Sequence, residues 1–244
     1  MRSNKTGIIS VAVVVATMSL HAQTITWGTA QTISGASDVV TAGSLLGTYA
    51  PGDSSASSYP VNGVTFSTSS LPDFSASGFN GYISNAGSAG TADSNYNALL
   101  QYLEYGATYN NPTFSTASLT WGGMVAGDTY EIELWVEDNR PGYTFSQSEY
   151  VIGGTTYGTD MGGPLTILTP TVGGVGEFIT GTFVATSGTE TIGFAPFSSQ
   201  ANSAVPQINL LQVRDLSAPV PEPATLGLTA AGLLLVAGMK RRRA

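Results

Sequence analysis

Apolar and polar residues alternate in short runs through the middle of the chain, and clusters of Gly, Ser, Thr and Asn separate the runs. A period of two marks a β-strand with unlike faces, because successive side chains leave a strand on opposite sides. The alternating segments are Thr24–Trp27, Val61–Phe66, Gly81–Ser84, Thr113–Trp121, Thr129–Glu137, Glu149–Ile152, Leu165–Leu168, Gly176–Thr186, Glu190–Ala195 and Gln207–Asp215. Phe178 to Phe194 reads as a hairpin, with ITGTFVA and ETIGF as arms and Thr186-Ser187-Gly188-Thr189 as the turn. One segment has helical spacing: Asp93 caps a helix over Ser94–Tyr105 that sets Leu99, Leu100 and Leu103 on one face. Gly43–Ser58, rich in Gly, Ser and Ala, reads as a loop. The pattern predicts a mainly β domain over residues 23–217, an antiparallel two-sheet sandwich of jelly-roll type with one short helix.

Neither end of the chain alternates. Arg2 and Lys5 precede an apolar run, Gly7 to Leu20, and Ser-Leu-His-Ala-Gln follows it. This is the layout of a secretory signal peptide over residues 1–22, cut between Ala22 and Gln23. At the other end, Pro219-Val220-Pro221-Glu222-Pro223 leads into the uncharged run Ala224 to Met239, closed by Lys240, Arg241, Arg242 and Arg243. Sixteen helical residues span about 24 Å, a little short of a hydrocarbon core, so the segment predicts a transmembrane helix that thins the bilayer or leans on its flanks. The basic tail belongs in the cytoplasm, which puts the preceding domain outside.

Composition narrows the chemistry. There are 8 basic and 16 acidic residues, no cysteine, and one histidine, His21, which falls in the leader. From Gln23 to Met239 only Arg140 and Arg214 are basic, against all sixteen acids, a net charge of −14. Nothing there displaces counterions from phosphates, which excludes nucleic-acid binding of the basic-patch kind. Thiol nucleophiles, Ser–His dyads, Schiff-base lysines and Cys/His metal sites are excluded with the missing residues. The expectation is therefore no cofactor, apart from a possible calcium ion, which takes oxygen ligands alone.

Candidate chemistry concentrates on Thr129–Glu137. Alternation assigns Tyr130, Ile132, Leu134 and Val136 to the core and Glu131, Glu133, Trp135 and Glu137 to the opposite face. That second face has three readings. It is a solvated outer face that discourages edge pairing, or a sugar-binding face where Trp135 stacks and Glu133 or Glu137 accepts hydroxyl hydrogen bonds, or a carboxylate pair of a glycan hydrolase or lyase. Arg140 ends the strand in a turn, as an ion-pair partner of Asp138 or a contact for an acidic or hydroxylated ligand; Arg214 has Asp215 beside it. Tyr59, Tyr82, Tyr143 and Tyr157, in glycine-rich surroundings, are candidates to line a sugar site.

The order Val220-Pro221-Glu222-Pro223, apolar helix 224–239, basic tail 240–243 closely resembles the PEP-CTERM sorting signal of exported proteins in biofilm-forming Gram-negative bacteria. The resemblance implies export by the Sec machinery, transient anchoring in the inner membrane, cleavage near Pro221-Glu222-Pro223 by an exosortase, and release to the cell surface or exterior. Ile25-Thr26-Trp27-Gly28, Val61 to Phe66, Gly127 to Arg140, Gly181-Thr182-Phe183 and Ile208 to Arg214 resemble a recurring ectodomain of such proteins, similar to lectin-type or carbohydrate-binding-module sandwiches. The implied function is a non-enzymatic structural or adhesive component of the surface or of a biofilm or exopolysaccharide matrix; the alternatives are a dedicated lectin-like module and a carboxylate-based hydrolase or lyase. Glycans or exopolysaccharide are the implied ligands.

Overall fold

The computed structural model describes residues 23–52, 58–86, 90–106, 117–140, 147–154, 158, 160–168, 176–198 and 205–217. The signal peptide with Ala22, the segment 218–244 with its motif, helix and basic tail, and the candidates Tyr143 and Tyr157 lie outside these residues. Among the described residues no helix is long and apolar enough to cross a membrane.

Two antiparallel sheets dominate. The first runs in the order β1 (Thr26–Trp27), β13 (Glu177–Val184), β10 (Thr129–Val136), β16 (Leu210–Asp215) and β3 (Ser44–Tyr49), with β2 (Gln31–Thr32) also on β13. The second runs β12 (Met161–Leu168), β11 (Gln147–Gly153), β14 (Glu190–Ser198), β9 (Ala117–Trp121) and β6 (Ser75–Ser77). The inner face of β10 is as alternation predicts, with Tyr130, Ile132, Leu134 and Val136 all buried. Across the gap they meet Trp121, Val151, Leu165 and Phe194 of the second sheet in one core. This is a sandwich: each sheet buries its apolar face against the other's.

The Phe178–Phe194 hairpin is corrected. β13 pairs with β10, β1 and β2, whereas β14 pairs with β11 and β9 in the other sheet. Both arms alternate, but Ile179 and Phe183 face Ile192 and Phe194 across the core instead of lying beside them in one sheet. The Thr186–Thr189 connection is a corner between sheets, held where Gly127 N donates to Ala185 O and Met124 N to Gly188 O.

Three boundaries also move. Val61–Phe66 is a hairpin, β4 (Tyr59–Val61) and β5 (Val64–Phe66), because Asn62 and Gly63 both take positive φ, 47° and 77°, as a two-residue turn of the primed type requires. Ser44–Tyr49, read as loop from its composition, is the edge strand β3. Helix α1 stops at Leu100, and Leu103–Gly106 form β8, which pairs with β7 (Phe79–Ile83) and β15 (Gln207–Ile208) in a three-stranded sheet. The amide of Asn209 donates to Leu100 O and Tyr102 O and so takes up carbonyls that a longer helix would have used itself.

Asp93 caps α1 as predicted: its Oδ1 accepts from Asn95 N and Tyr96 N, both at 2.9 Å. Asp93→Ala leaves two helix-end donors without that acceptor, at a cost of about 1 kcal/mol. In a domain of this size the expected change is a fall of about 2–4 °C in the thermal midpoint, measured by circular dichroism.

Candidate functional site

The outer face of β10 is not a solvent face. Glu133, Trp135 and Glu137 are each 0% exposed, and only Glu131 is half-buried. A second core covers this half of the sheet: Trp135, Phe178 and Leu210 pack under Phe66 of β5 and Tyr96 and Leu99 of α1. Trp135 meets Phe66 edge-on at 5.8 Å and stacks on Phe178 at 6.2 Å. No sugar ring reaches that indole, and no substrate reaches Glu133 or Glu137. The solvated-face, sugar-stacking and paired-carboxylate readings of these residues are all corrected by this covering layer.

The polar residues of the face clamp a strap of chain. Thr180, Glu133, Gln212 and Thr48 form one cross-strand row. Glu133 Oε2 accepts from Val40 N at 3.0 Å and from Gln212 Nε2 at 2.5 Å, and Gln212 Nε2 also donates to Val40 O. Arg214, opposite Glu131, donates to the carbonyls of Thr41, Ala42 and Gly43. The expected pairing of Arg214 with Asp215 gives way to this clamp, and Asp215 Oδ1 accepts from Ser217 N. Arg140 does bridge to Asp138, at 2.6 Å.

Burial changes the acidity of these groups. It pushes Glu133 up to about 8, against the opposing effect of its bonds from Val40 and Gln212. It pushes Glu137 up to about 8 as well, helped by the Asp138 charge, and neither Glu137 oxygen has a hydrogen-bond partner among the described residues. Glu149 is raised well above the carboxylate range by complete burial, and Glu190 to about 7. Alternation puts Glu149 on the face of Val151 and Glu190 on that of Ile192 and Phe194, but each opens its predicted strand, where a polar residue reads as the solvated end, and so both were missed in the sequence. Among the described residues no group of three or more acidic side chains is placed to hold a metal ion. Gln23, predicted as the first residue after the leader, is buried, its amide bonded to Thr189 O and Thr186 N.

The third sheet presents an aromatic surface. Tyr82 of β7 lies opposite Glu104 of β8, and the Tyr82 and Tyr102 rings stack at 6.1 Å with 13° between their planes. Tyr82 is 41% exposed. Tyr102 also lines a small depression with Tyr59, Pro51, Ser67 and Thr68. Tyr49 donates its hydroxyl to Glu104 Oε2 at 2.5 Å, which fixes that carboxylate from the inside while the residue stays half-exposed. Tyr59 and Tyr82 belong to the predicted tyrosine set; Tyr102 was missed because the helix reading ran through it. Aromatic faces beside hydroxyls and a carboxylate suit a hydroxylated ring compound, which offers an apolar face and polar edges at once.

No protein-family model matches the chain, and no curated protein does. Among solved structures, the CBM35 module of Cellvibrio japonicus Abf62 is similar at 16% identity, covering 58% of this chain and 92% of that one, with a TM-score of 0.29. At that score the two share too little geometry for residues to be matched between them.

Proposed function

We propose that this protein is an exported, non-enzymatic component of the cell surface or extracellular matrix whose sandwich binds glycan, in the manner of a lectin-like module, through the Tyr82–Tyr102 face. The observation that carries the reading is the exposed Tyr82 ring, which stacks on the half-buried Tyr102 at the edge of a depression lined by Tyr59, Ser67 and Thr68 and lies opposite Glu104. The buried carboxylates support a role without catalysis, since Glu133 and Glu137 are walled in by the second core.

The scaffold is of the jelly-roll type: β3, β9, β10, β11, β12, β13, β14 and β16 divide between the sheets as 3-16-10-13 and 9-14-11-12. That is the order of two nested Greek keys. It places the two described termini at one pole, where Thr129 N donates to Ser217 Oγ and Thr24 lies beside Thr129 and Val184. Leu210 and Tyr49 lie towards the other end of β10, in register with Trp135 and Leu134, about 17–20 Å along the strand from Thr129, and Tyr49 bonds Glu104 of the tyrosine face. A leader and a C-terminal anchor attached at the first pole leave the tyrosine face pointing away from the membrane. Sec export and exosortase processing at Pro221-Glu222-Pro223 then deliver it to the surface.

A glycan array probed with the wild-type domain and with Tyr82→Ala tests the reading. Removing the exposed ring is expected to weaken binding at least ten-fold with an unchanged thermal midpoint. Equal binding by both proteins would move the site elsewhere.

A further inference from the structure

The layer over Trp135 is a unit of its own. β4–β5 and α1 (Ser94–Leu100) are joined to each other by Asn95 Nδ2, which donates to Pro60 O at 3.0 Å. Their undersides, Val61 and Phe66 of the hairpin and Tyr96, Leu99 and Leu100 of the helix, pack on Trp135 and Leu210. The unit is fastened at its margins, where Ala50 N donates to Ser67 O, Asn62 Nδ2 to Val39 O, and the Asn209 amide to Leu100 O and Tyr102 O. Between those margins the seam buries polar atoms that the closed layer leaves unsatisfied. Tyr96 Oη, Trp135 Nε1, one oxygen of Glu133 and both of Glu137 form no hydrogen bond of normal geometry among the described residues, although the Tyr96 hydroxyl approaches the indole.

We propose that β4–β5 and α1 act as a lid that lifts from the first sheet when Glu137 loses its proton. Glu137 is the trigger because of what surrounds it. Its backbone N donates to Asn209 Oδ1, and the amide of that asparagine is already engaged by Leu100 O and Tyr102 O, so the residue sits at the base of α1 with no donor for its carboxylate. Glu133 differs, since its Oε2 has two donors, Val40 N and Gln212 Nε2. A buried carboxylate without a donor is strongly disfavoured, whereas a carboxylate in water is not. Ionisation of Glu137 therefore favours the state that admits water to the seam.

The neighbouring charges push the same way. Asp138 follows Glu137, Tyr96 faces it from α1, and Asp38 and Glu133 add negative charge to the same seam. Arg140 bridges to Asp138, Arg214 is held by the strap carbonyls with Glu131 beside it, and Glu177 of β13 accepts from Thr166 N. Burial pushes Glu137 up to about 8, whereas a hydrated carboxyl has the ordinary value near 4.5. The closed lid is the state that holds the proton, so its advantage is complete below about pH 4.5 and is lost as pH rises through 8. Each unit between the two values is about ten-fold in the opening equilibrium. Tyr59 rides on the hairpin and Tyr102 follows α1, so lifting the lid also takes the proposed glycan face apart. That consequence rests on the glycan reading, and the opening itself does not.

Amide hydrogen exchange of the full-length protein in detergent, read by mass spectrometry and corrected for the intrinsic effect of pH, tests the lid. Wild type and Glu137→Gln are compared at pH 6 and pH 9, with and without urea at a concentration too low to unfold the domain. Local opening exposes little surface and is insensitive to urea, whereas exchange through global unfolding is not. In wild type, protection of Tyr59–Phe66 and Ser94–Leu100 is expected to fall at least ten-fold from pH 6 to pH 9, to ignore the urea, and to stay well below that of β14. Glu137→Gln is expected to remove most of that fall, and Glu137→Leu, also uncharged, takes its place if the amide variant does not fold. Lid and β14 peptides with equal protection and an equal response to urea would overturn the proposal, because the layer would then open only with the whole domain. A fall that the uncharged variant reproduces in full would overturn it too. The exchange is read without glycan, so failure of the glycan array leaves this result untouched, and the reverse also holds.

Discussion

Trp135→Ala is expected to lower unfolding stability by about 3–5 kcal/mol, the cost of emptying a large aromatic site in a packed core. Domains of this kind have about 5–15 kcal/mol in total, so the variant will be marginal or unfolded at 37 °C. The indole is fully buried between Phe66 and Phe178, and those contacts bring the β4–β5 hairpin onto the first sheet. Had Trp135 been on a solvated face, the same change would cost about 0.5 kcal/mol or less and affect binding alone. Urea denaturation separates the two: a midpoint shifted far to lower urea fits the buried indole, and an unchanged midpoint would contradict the second core. Trp135→Phe, which retains part of the volume, should fall between wild type and Trp135→Ala.

The second large effect concerns pH. Four buried glutamates, Glu133, Glu137, Glu149 and Glu190, hold their protons more tightly in the folded state than the ordinary carboxylate, with a value near 4.5. Between that value and about 8, the folded chain binds more protons than the unfolded chain, so unfolding free energy falls as pH rises. The contribution is complete below about pH 4.5 and is lost as pH passes through 7 to 8. Each unit of difference is worth about 1.4 kcal/mol, so the protein should be less stable at pH 8 than at pH 5 by several kcal/mol. Glu137→Gln is the sharpest probe, because neither oxygen of the wild-type carboxylate has a partner among the described residues. It should be close to neutral at pH 5 and stabilising at pH 8 by on the order of 2 kcal/mol. Denaturation midpoints at the two pH values check this, and a wild-type stability that rises with pH would contradict it.

Both effects arise where sequence pattern stops being informative. Alternation in Thr129–Glu137 identified the inner residues Tyr130, Ile132, Leu134 and Val136, because any sandwich needs that face apolar. It said nothing of what lies over the other face. Glu-x-Glu-x-Trp-x-Glu reads the same whether water or a second layer covers it. The cover comes from β5 and α1, and only the tertiary fold brings them there. The same limit explains the hairpin: two alternating arms joined by a short turn pair in one sheet or face each other across two, and local residues do not choose. Asp93 was legible because capping is local, whereas the end of α1 depends on Asn209, more than a hundred residues away. Tyr82 and Tyr102 are brought together only by β7–β8 pairing, so a search for clustered aromatics along the chain finds one and misses the other.

The proposed glycan face and the buried face make opposite demands on the tyrosines and the tryptophan, and one comparison decides between them. Wild type, Tyr82→Ala and Trp135→Phe are titrated with the best array glycan by isothermal calorimetry at pH 6. Tyr82→Ala is expected to keep its fold and lose binding at least ten-fold, while Trp135→Phe loses stability and, where folded, binds as wild type. Full affinity in Tyr82→Ala, or lost affinity in a folded Trp135→Phe, would contradict a binding face on Tyr82 and a structural role for Trp135.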